Sequence, residues 1–375
     1  MTVRNLYLVI SQDCNLACGY CYAQGGDFGR GASLMRPETM RAAFDRLLPL
    51  AGGTVAVSFF GGEPLLNFAL MKEAVAYGQR LAAQRDVRFV YCLTTNGTLL
   101  DDERLAFLKA HVRHIAVSLD GDAAVTNAGR RFRDGGDDVH GTVLANIRRL
   151  REAGIPFALR GTVMEQHAAG LEEAARYLDA LGAVSLRIAP AALAAEWRGD
   201  SLRAWTAGYG RLNRASLESI LAGEEPVVAN ELCKVAAHRL LGERHLYPCA
   251  AGEGVLAVAA DGSVYPCDHF VGVDAFRMGS VHDPDFPGAA FRAVAARLKS
   301  NSVEQRPKCA GCDVRYDCGG ECPAQSLLRR GDIAEPSASH CAFTKKIARE
   351  TASLLDRAVA DEAGKARLKA FLGGG

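Results

Sequence analysis

LYLVISQDCNLACGYC, residues 6–21, joins an apolar run to three closely spaced cysteines. Leu6–Ser11 reads as a strand, and Cys14-x3-Cys18-x2-Cys21 follows directly upon it. Three thiolates on one loop can hold three irons of a four-iron cluster and leave the fourth iron open to a further ligand. Zinc is the competing reading, but a structural zinc site takes four ligands, and no fourth Cys or His stands nearby in the sequence.

Outward from this strand, short apolar runs alternate with amphipathic stretches as far as residue 189. Further strands are expected at Thr54–Phe60, Arg88–Thr94, His114–Asp120, Phe157–Val163 and Ser185–Ala189. Between them, Val143, Leu144, Ile147 and Leu150 mark one helical face, stopped by Gly154, and Leu171, Ala175, Leu178 and Leu181 mark another, stopped by Gly182. Six strand–helix units in series predict an α/β fold with a parallel sheet and right-handed crossovers. Six are too few to close an eight-stranded barrel, so the expected architecture is a partial, TIM-like (β/α)6 barrel with its chemistry at the strands' C-terminal ends.

After Ser201 a helical stretch runs to about Gly223, followed by a cysteine-rich region of short strands and loops. Val255–Ala259, the turn Asp261–Gly262 and Val264–Tyr265 spell a β-hairpin, and Ile347 to Leu372 reads as one or two helices. The expected division is a barrel at residues 1–230, a cysteine-rich domain at 231–350 and a helical tail at 351–375.

The 375 residues are 49% hydrophobic, enough for a large core, and the formal net charge is +1. No basic excess points to nucleic acid or an anionic membrane. No run approaches the roughly 20 apolar residues of a membrane span, and the N-terminus lacks the pattern of a signal peptide. A cytoplasmic protein is expected. In that setting twelve cysteines suit metal or cluster ligation better than disulfides. Eight of them fall between Cys233 and Cys341, which suggests a second cofactor module. Cys92, alone within a strand, is read as a small core residue.

The first cysteine triplet, with Tyr20 before its last member, resembles the signature of the radical S-adenosylmethionine (SAM) superfamily. Gly61-Gly62-Glu63-Pro64, at the end of the second strand, is similar to the motif with which that family holds the amino group of SAM. Glycines permit close backbone approach, and a carboxylate can pair with an ammonium; as a lone motif it is equally a turn. Asn96-Gly97 and Ser118-Leu119-Asp120-Gly121 end the next two strands where the family contacts the cofactor, although Asn-Gly and Asp-Gly are also ordinary turn pairs. Arg160 on the fifth strand could meet the SAM carboxylate, or be structural. The resemblance thus implies Tyr20, Gly61, Gly62, Glu63, Asn96, Ser118, Asp120 and Arg160 as cofactor-binding residues.

The second array, Cys249, Cys267, Cys309-x2-Cys312-x5-Cys318-x3-Cys322 and Cys341, resembles the SPASM extension of radical SAM enzymes that act on peptides and proteins. Carried over, that resemblance implies two auxiliary clusters. One would use Cys249, Cys267 and Cys322, and the other Cys309, Cys312, Cys318 and Cys341. Cys233 would close the first, or be a buried free thiol that leaves an iron open. A zinc site built from Cys309, Cys312, Cys318 and Cys322 is the bland alternative. Three [4Fe-4S] clusters and SAM are therefore the expected cofactors. Asp268, directly after Cys267, matches the proposed base of anaerobic sulfatase maturases, with a turn or capping role as its ordinary reading; His269 would orient it.

The family chemistry implied is hydrogen abstraction by a 5′-deoxyadenosyl radical, with the auxiliary clusters taking the remaining electron. The expected function is oxidative cross-linking (thioether or another bond) of a ribosomally made precursor peptide. The second reading is oxidation of Cys or Ser to formylglycine in a sulfatase, and the third is a non-enzymatic iron–sulfur electron carrier. That carrier leaves the open three-cysteine site unexplained. A low-potential donor, flavodoxin or ferredoxin, is the expected redox partner. With 13 residues before Cys14, any leader recognition is expected from the barrel or the C-terminal region.

Overall fold

The computed structural model describes residues 2–191, 196–226, 228 and 230–373. Two compact units divide the chain: Met1–Leu119 with Ala123–Leu159 and Ala250–Lys299, and Asp120–Asp122 with Arg160–Cys249 and Ser300–Gly375.

The first unit is organised on β1 (Val3–Gln12), whose residues from Leu8 onward are all buried. Continuous burial is what a parallel strand covered on both faces shows, and it explains why the run LVI carries no polar alternation. β2 (Ser33–Leu34) pairs antiparallel with the end of β1. β3 (Ala51–Gly61) lies parallel to β1, β4 (Arg88–Thr95) parallel to β3, and β5 (Val112–Ser118) parallel to β4. Helices α1 (Pro37–Leu47), α2 (Phe68–Gln84), α3 (Asp102–His111), α4 (Ala123–Gly129) and α5 (Val139–Glu152) fill the intervals between strands or follow them. On α5 the buried face is Val143, Asn146, Ile147 and Leu150, with Leu144 only half-buried. Asn146 replaces it because its amide donates to the Gly97 carbonyl at 2.8 Å.

The expected hairpin is present as β8 (Val255–Val258) and β9 (Val264–Tyr265), antiparallel to each other. Its place in the sheet is new. β8 pairs parallel with β1, Asn5–Leu8 against Val255–Val258, on the side away from β3. Leu256, Ala257 and Val258 are fully buried, so this strand has the burial of a sheet interior and extends the main sheet. The unit closes with α9 (Ala289–Lys299).

The second unit contains β6 (Ala158–Val163) from Arg160 onward, its sheet neighbour β7 (Ser185–Pro190), and α6 (Leu171–Asp179), α7 (Gly199–Ala222) and α8 (Asn230–Leu241). Short helices α10 (Pro307–Ala310), α11 (Arg315–Cys318) and α12 (Pro323–Arg330) precede the long α13 (Ala338–Ala358) and α14 (Glu362–Gly373). α7 stops where Gly223 takes a φ of 83° and the Glu224 N–H returns to the Ser219 carbonyl. Leu217, Ile220, Leu232, Val235, Ala348, Leu355 and Leu368, from α7, α8, α13 and α14, form one apolar cluster. No helix among the described residues is long and apolar enough to cross a membrane.

The cysteine-rich segment of this unit is held by a buried arginine. Arg306, 1% exposed, donates from Nε to the Asn301 carbonyl and to Asn301 Oδ1 (3.0 Å each) and from a terminal nitrogen to the Glu321 carbonyl (2.9 Å). Glu321 is itself buried and accepts from the Ser337 N–H (2.6 Å) and hydroxyl (2.8 Å) and from Arg329 (3.2 Å). Loop 301–306, the segment before Cys322 and the start of α13 are thereby one polar network. Replacing Arg306 by Leu orphans these acceptors at about 1–3 kcal/mol per buried group. A fall of about 3 kcal/mol in the stability of the cluster-free protein, read from its urea midpoint, is expected; an unchanged midpoint would show that the network carries no stability.

Candidate functional site

The cysteine loop is fixed from both flanks within the first unit. At its root, Gly61 has a φ of 144°, and a Cβ there would stand 2.0 Å from the Ser11 carbonyl oxygen. A Cβ on Gly62 would meet the Asp13 oxygen at 2.3 Å and the Gly26 Cα at 2.7 Å. The glycine pair therefore lets the end of β3 touch the chain entering the loop, and the Gly62 and Glu63 N–H groups donate to the Ser11 and Asp13 carbonyls (2.9 and 2.8 Å). On the other flank, the Ala17 and Gly19 N–H groups donate to Arg131 and Gly129, and the Arg133 N–H donates to Asn15. The Arg133 guanidinium reaches Asp13 at 2.6 Å, and the Arg130 guanidinium lies over the Tyr20 ring at 5.5 Å.

Glu63 is fully buried, and its carboxylate turns into the protein. Oε1 accepts from the Leu65 N–H (3.0 Å) and the Thr95 hydroxyl (2.8 Å), and Oε2 from the Asn96 N–H (2.7 Å). An incoming ammonium would meet a carboxylate that already has three donors. Asn96 continues the chain of contacts: its amide donates to Asn15 Oδ1 at 2.8 Å and lies 3.8 Å from Cys14 Sγ, which also takes the Leu16 N–H at 3.4 Å. Burial pushes the Cys14 thiol up to about 12. Such a sulfur becomes a thiolate only when a cation takes the place of its proton, which is the condition a cluster iron meets.

The hairpin brings Asp268 to this loop. Its carboxylate oxygen Oδ2 accepts from the Tyr22 hydroxyl at 2.9 Å and lies 3.1 Å from His269 Nδ1. The Tyr22 and His269 rings stack at 4.5 Å with 1° between their planes. Cys267 Sγ, an Asp268 oxygen and a His269 nitrogen converge within 4.8 Å of one another. Burial, followed by the neighbouring Asp268, pushes the Tyr22 phenol well up, so it stays a hydrogen-bond donor. Tyr22 was not singled out in the sequence, although it stands next to Cys21; nothing local marks its partner.

In the second unit, Cys309, Cys312, Cys318 and Cys341 line one cavity, together with Lys308, Arg315, His340 and Lys345. Burial pushes the thiols of Cys309, Cys318 and Cys341 up, Cys318 to about 11. Four thiols around one cavity, with Lys308, Arg315 and Lys345 outnumbering the one carboxylate of its lining, Glu321, fit a cluster of net negative charge. Cys322, at the start of α12, and half-buried Cys233, on α8, belong to the same unit, as does exposed Cys249. Burial first and Glu231 second raise the Cys233 thiol. Asp120 accepts the Thr162 N–H at 2.8 Å, a backbone tie. Arg160 and Thr162 are half-buried on the face of β6 opposite Leu159 and Val163, and Ser118 is half-buried at the end of β5. Cys92 is half-buried in β4.

The radical SAM superfamily profile matches residues 8–178, and the SPASM iron–sulfur cluster-binding domain matches 249–313, together well over half of the chain. The chain belongs to the radical SAM superfamily and carries a SPASM domain. Over 340 residues it is 24% identical to the cysteine-type anaerobic sulfatase-maturating enzyme of Clostridium perfringens (strain 13 / Type A), covering 83% of this chain and 86% of that enzyme. The solved anSMEcpe structure with bound AdoMet superposes with a TM-score of 0.80 at 21% identity, over 94% of this chain and 98% of that one. SuiB of Streptococcus suis bound to precursor peptide SuiA superposes at 0.62 and 15% identity, over 91% and 76%. The α/β fold is thus the radical SAM partial barrel followed by a cysteine-rich SPASM domain. SAM and [4Fe-4S] clusters are its cofactors.

Burial raises the Glu63 carboxyl from 4.5 to about 7, against the lowering effect of its donors. A raised folded-state value means that the native protein holds a proton which the unfolded chain has released. The stability it contributes is complete below 4.5 and is lost as pH rises through about 7. Urea midpoints between pH 5 and 8 should therefore fall less steeply in Glu63→Gln than in the parent. Equal slopes would show that Glu63 is ionised throughout.

Proposed function

We propose that the protein oxidises a residue of a peptide or protein substrate by two electrons, cross-linking a ribosomally made precursor, with Asp268 as the base. The observation that supports a two-electron peptide oxidation, common to this reading and the next, is the buried Asp268 carboxylate beside Cys267, held by Tyr22 and His269 next to the loop of Cys14, Cys18 and Cys21. When bound, SAM and the clusters supply the radical that removes a hydrogen atom and the acceptors for the electron left behind. The chain's own residues do the rest. Cys14, Cys18 and Cys21 hold the SAM-binding cluster, and Tyr20, Gly61, Gly62, Asn96, Ser118, Asp120 and Arg160 border or support the cofactor. Glu63 joins them by resemblance, its charge directed to the SAM ammonium, and keeps the ends of β3 and β4 together.

Cys309, Cys312, Cys318 and Cys341 hold the outer auxiliary cluster. Cys249, Cys267 and Cys322, closed by Cys233, hold the inner one, by resemblance. Residues 1–230, 231–350 and 351–375 are the corresponding modules, and a flavodoxin or ferredoxin is the electron donor. Reconstituted protein should carry about twelve irons, four per cluster. Changing Cys14, Cys18 and Cys21 together to Ala should remove about four of them and abolish SAM cleavage; cleavage retained in that variant overturns the site.

A cross-link removes two hydrogen atoms and keeps all sulfur. Formylglycine formation from Cys releases the sulfur as hydrogen sulfide, with water supplying the carbonyl oxygen. That second reading is favoured by the likeness to anSMEcpe along nearly its whole length and by the position of Asp268. Mass spectrometry of a co-expressed peptide from a neighbouring reading frame, beside a sulfatase-motif peptide, separates the two. Asp268→Asn should keep 5′-deoxyadenosine formation and lower product about 100-fold or more, the usual weight of a general base. Full product yield would remove Asp268 from the reaction.

A further inference from the structure

His340 occupies the first turn of α13, where its N–H donates to the capping Ser337 hydroxyl at 3.3 Å and its ring lines the cavity of Cys309, Cys312, Cys318 and Cys341. Its Nε2 lies 3.5 Å from Cys318 Sγ. The same sulfur takes the Gly320 N–H at 3.3 Å, because Gly319 and Gly320 adopt φ values of 71° and 90° and fold the backbone over it. Two donors thus converge on one sulfur of the four. An iron-bound thiolate can only accept, so the imidazole nitrogen facing it is the one that carries hydrogen. Hydrogen bonds to cluster sulfurs stabilise the more negative, reduced state and so raise the reduction potential.

We propose that His340 donates an N–H···S hydrogen bond to Cys318 and thereby raises the reduction potential of the outer auxiliary cluster. This rests on the assignment of Cys309, Cys312, Cys318 and Cys341 to that cluster. His340 is a positioning residue, acting through Cys318 without touching substrate. In the redox step the substrate-derived radical is oxidised and the cluster is reduced by one electron. The substrate proton goes to Asp268, and the hydrogen on Nε2 stays where it is. Arg306, Lys308, Arg315 and Lys345 act in the same direction through their charge and Glu321 against it, but among the described residues only His340 combines a side-chain donor with direct reach to the sulfur.

The test is an EPR-monitored redox titration of the full-length, anaerobically reconstituted protein. His340→Leu removes the donor, and His340→Gln keeps an N–H of similar reach. The expected result is unchanged iron content, a more negative midpoint for the outer cluster in His340→Leu, and a midpoint closer to the parent in His340→Gln. Beside the exchangeable-proton coupling of the Gly320 N–H, which all three proteins keep, a second such coupling of the reduced cluster should vanish in the Leu variant alone. Identical midpoints in all three proteins overturn the proposal. So does loss of about four irons in both variants, which would make His340 an iron-holding residue instead. The underlying assignment is checked separately: Cys309→Ala with Cys341→Ala must abolish the titrated signal in a protein with intact His340, and persistence of that signal sinks the cluster assignment.

Discussion

Within the first unit, the site is rooted in a close approach of two backbones. Gly61 and Gly62 cross Ser11–Asp13 at distances that exclude any Cβ, and two N–H groups close the crossing. From that point the contacts spread in order. Glu63 leaves the crossing into the interior and binds Leu65, Thr95 and Asn96; Asn96 then reaches Asn15 and the Cys14 sulfur. A three-cysteine loop must present its sulfurs at fixed positions, yet loops are the least constrained part of a chain. Here two strand ends hold the loop at its root, and residues 129–133 hold its far side.

The electrostatics of the two cysteine centres follow one rule. Burial raises the proton affinity of Cys14, Cys309, Cys318 and Cys341, so none of these sulfurs is anionic on its own. A bound metal would supply the missing positive charge and make thiolates of them, coupling cluster assembly to local order. The centres differ in what surrounds them. Cys14 has neutral donors, the Leu16 N–H and the Asn96 amide, and a carboxylate further off. The outer quartet has Arg306, Lys308, Arg315 and Lys345 around it. With Glu321 the one carboxylate of that lining, the excess of cations would favour the added negative charge of a reduced cluster held there.

Much of the fold was legible because it is periodic. Each expected strand of the barrel is present to within three residues at its ends, and the hairpin lies where its Asp-Gly turn placed it. The sheet position of β8 was not legible, since VLAV is equally suited to a hairpin standing alone and to a sheet interior. In the site, residue types were readable but their partners within the protein were not. Nothing in Gly-Gly-Glu-Pro announces that the Glu63 carboxylate takes the Leu65 and Asn96 N–H groups and the Thr95 hydroxyl. Asp120 is likewise taken up by the Thr162 N–H. Tyr22 and Asp268 stand 246 residues apart, and Cys318 and His340 22 apart, so only tertiary structure pairs them.

The pairing of β8 with β1 gives the Asp268 cluster its physical basis. Asn5–Leu8 and Val255–Val258 share a register, and the Ala260 N–H donates to Gln12 Oε1 at 2.9 Å, which locks the hairpin to the strand that feeds the cysteine loop. Beyond it, Arg30 binds the Gly272 carbonyl, and Gly272 approaches Phe28 so closely that a Cβ would stand 2.5 Å from its oxygen. Residues 268–274 are therefore set against residues 22–30 by the contacts of Tyr22 with Asp268 and His269 and by Gly272 against Phe28 and Arg30. The carboxylate needs no long side chain to reach the loop; the sheet brings it there. A carboxylate placed by strand pairing keeps its distance from the cysteine loop by the register of the sheet and not by the reach of its own side chain.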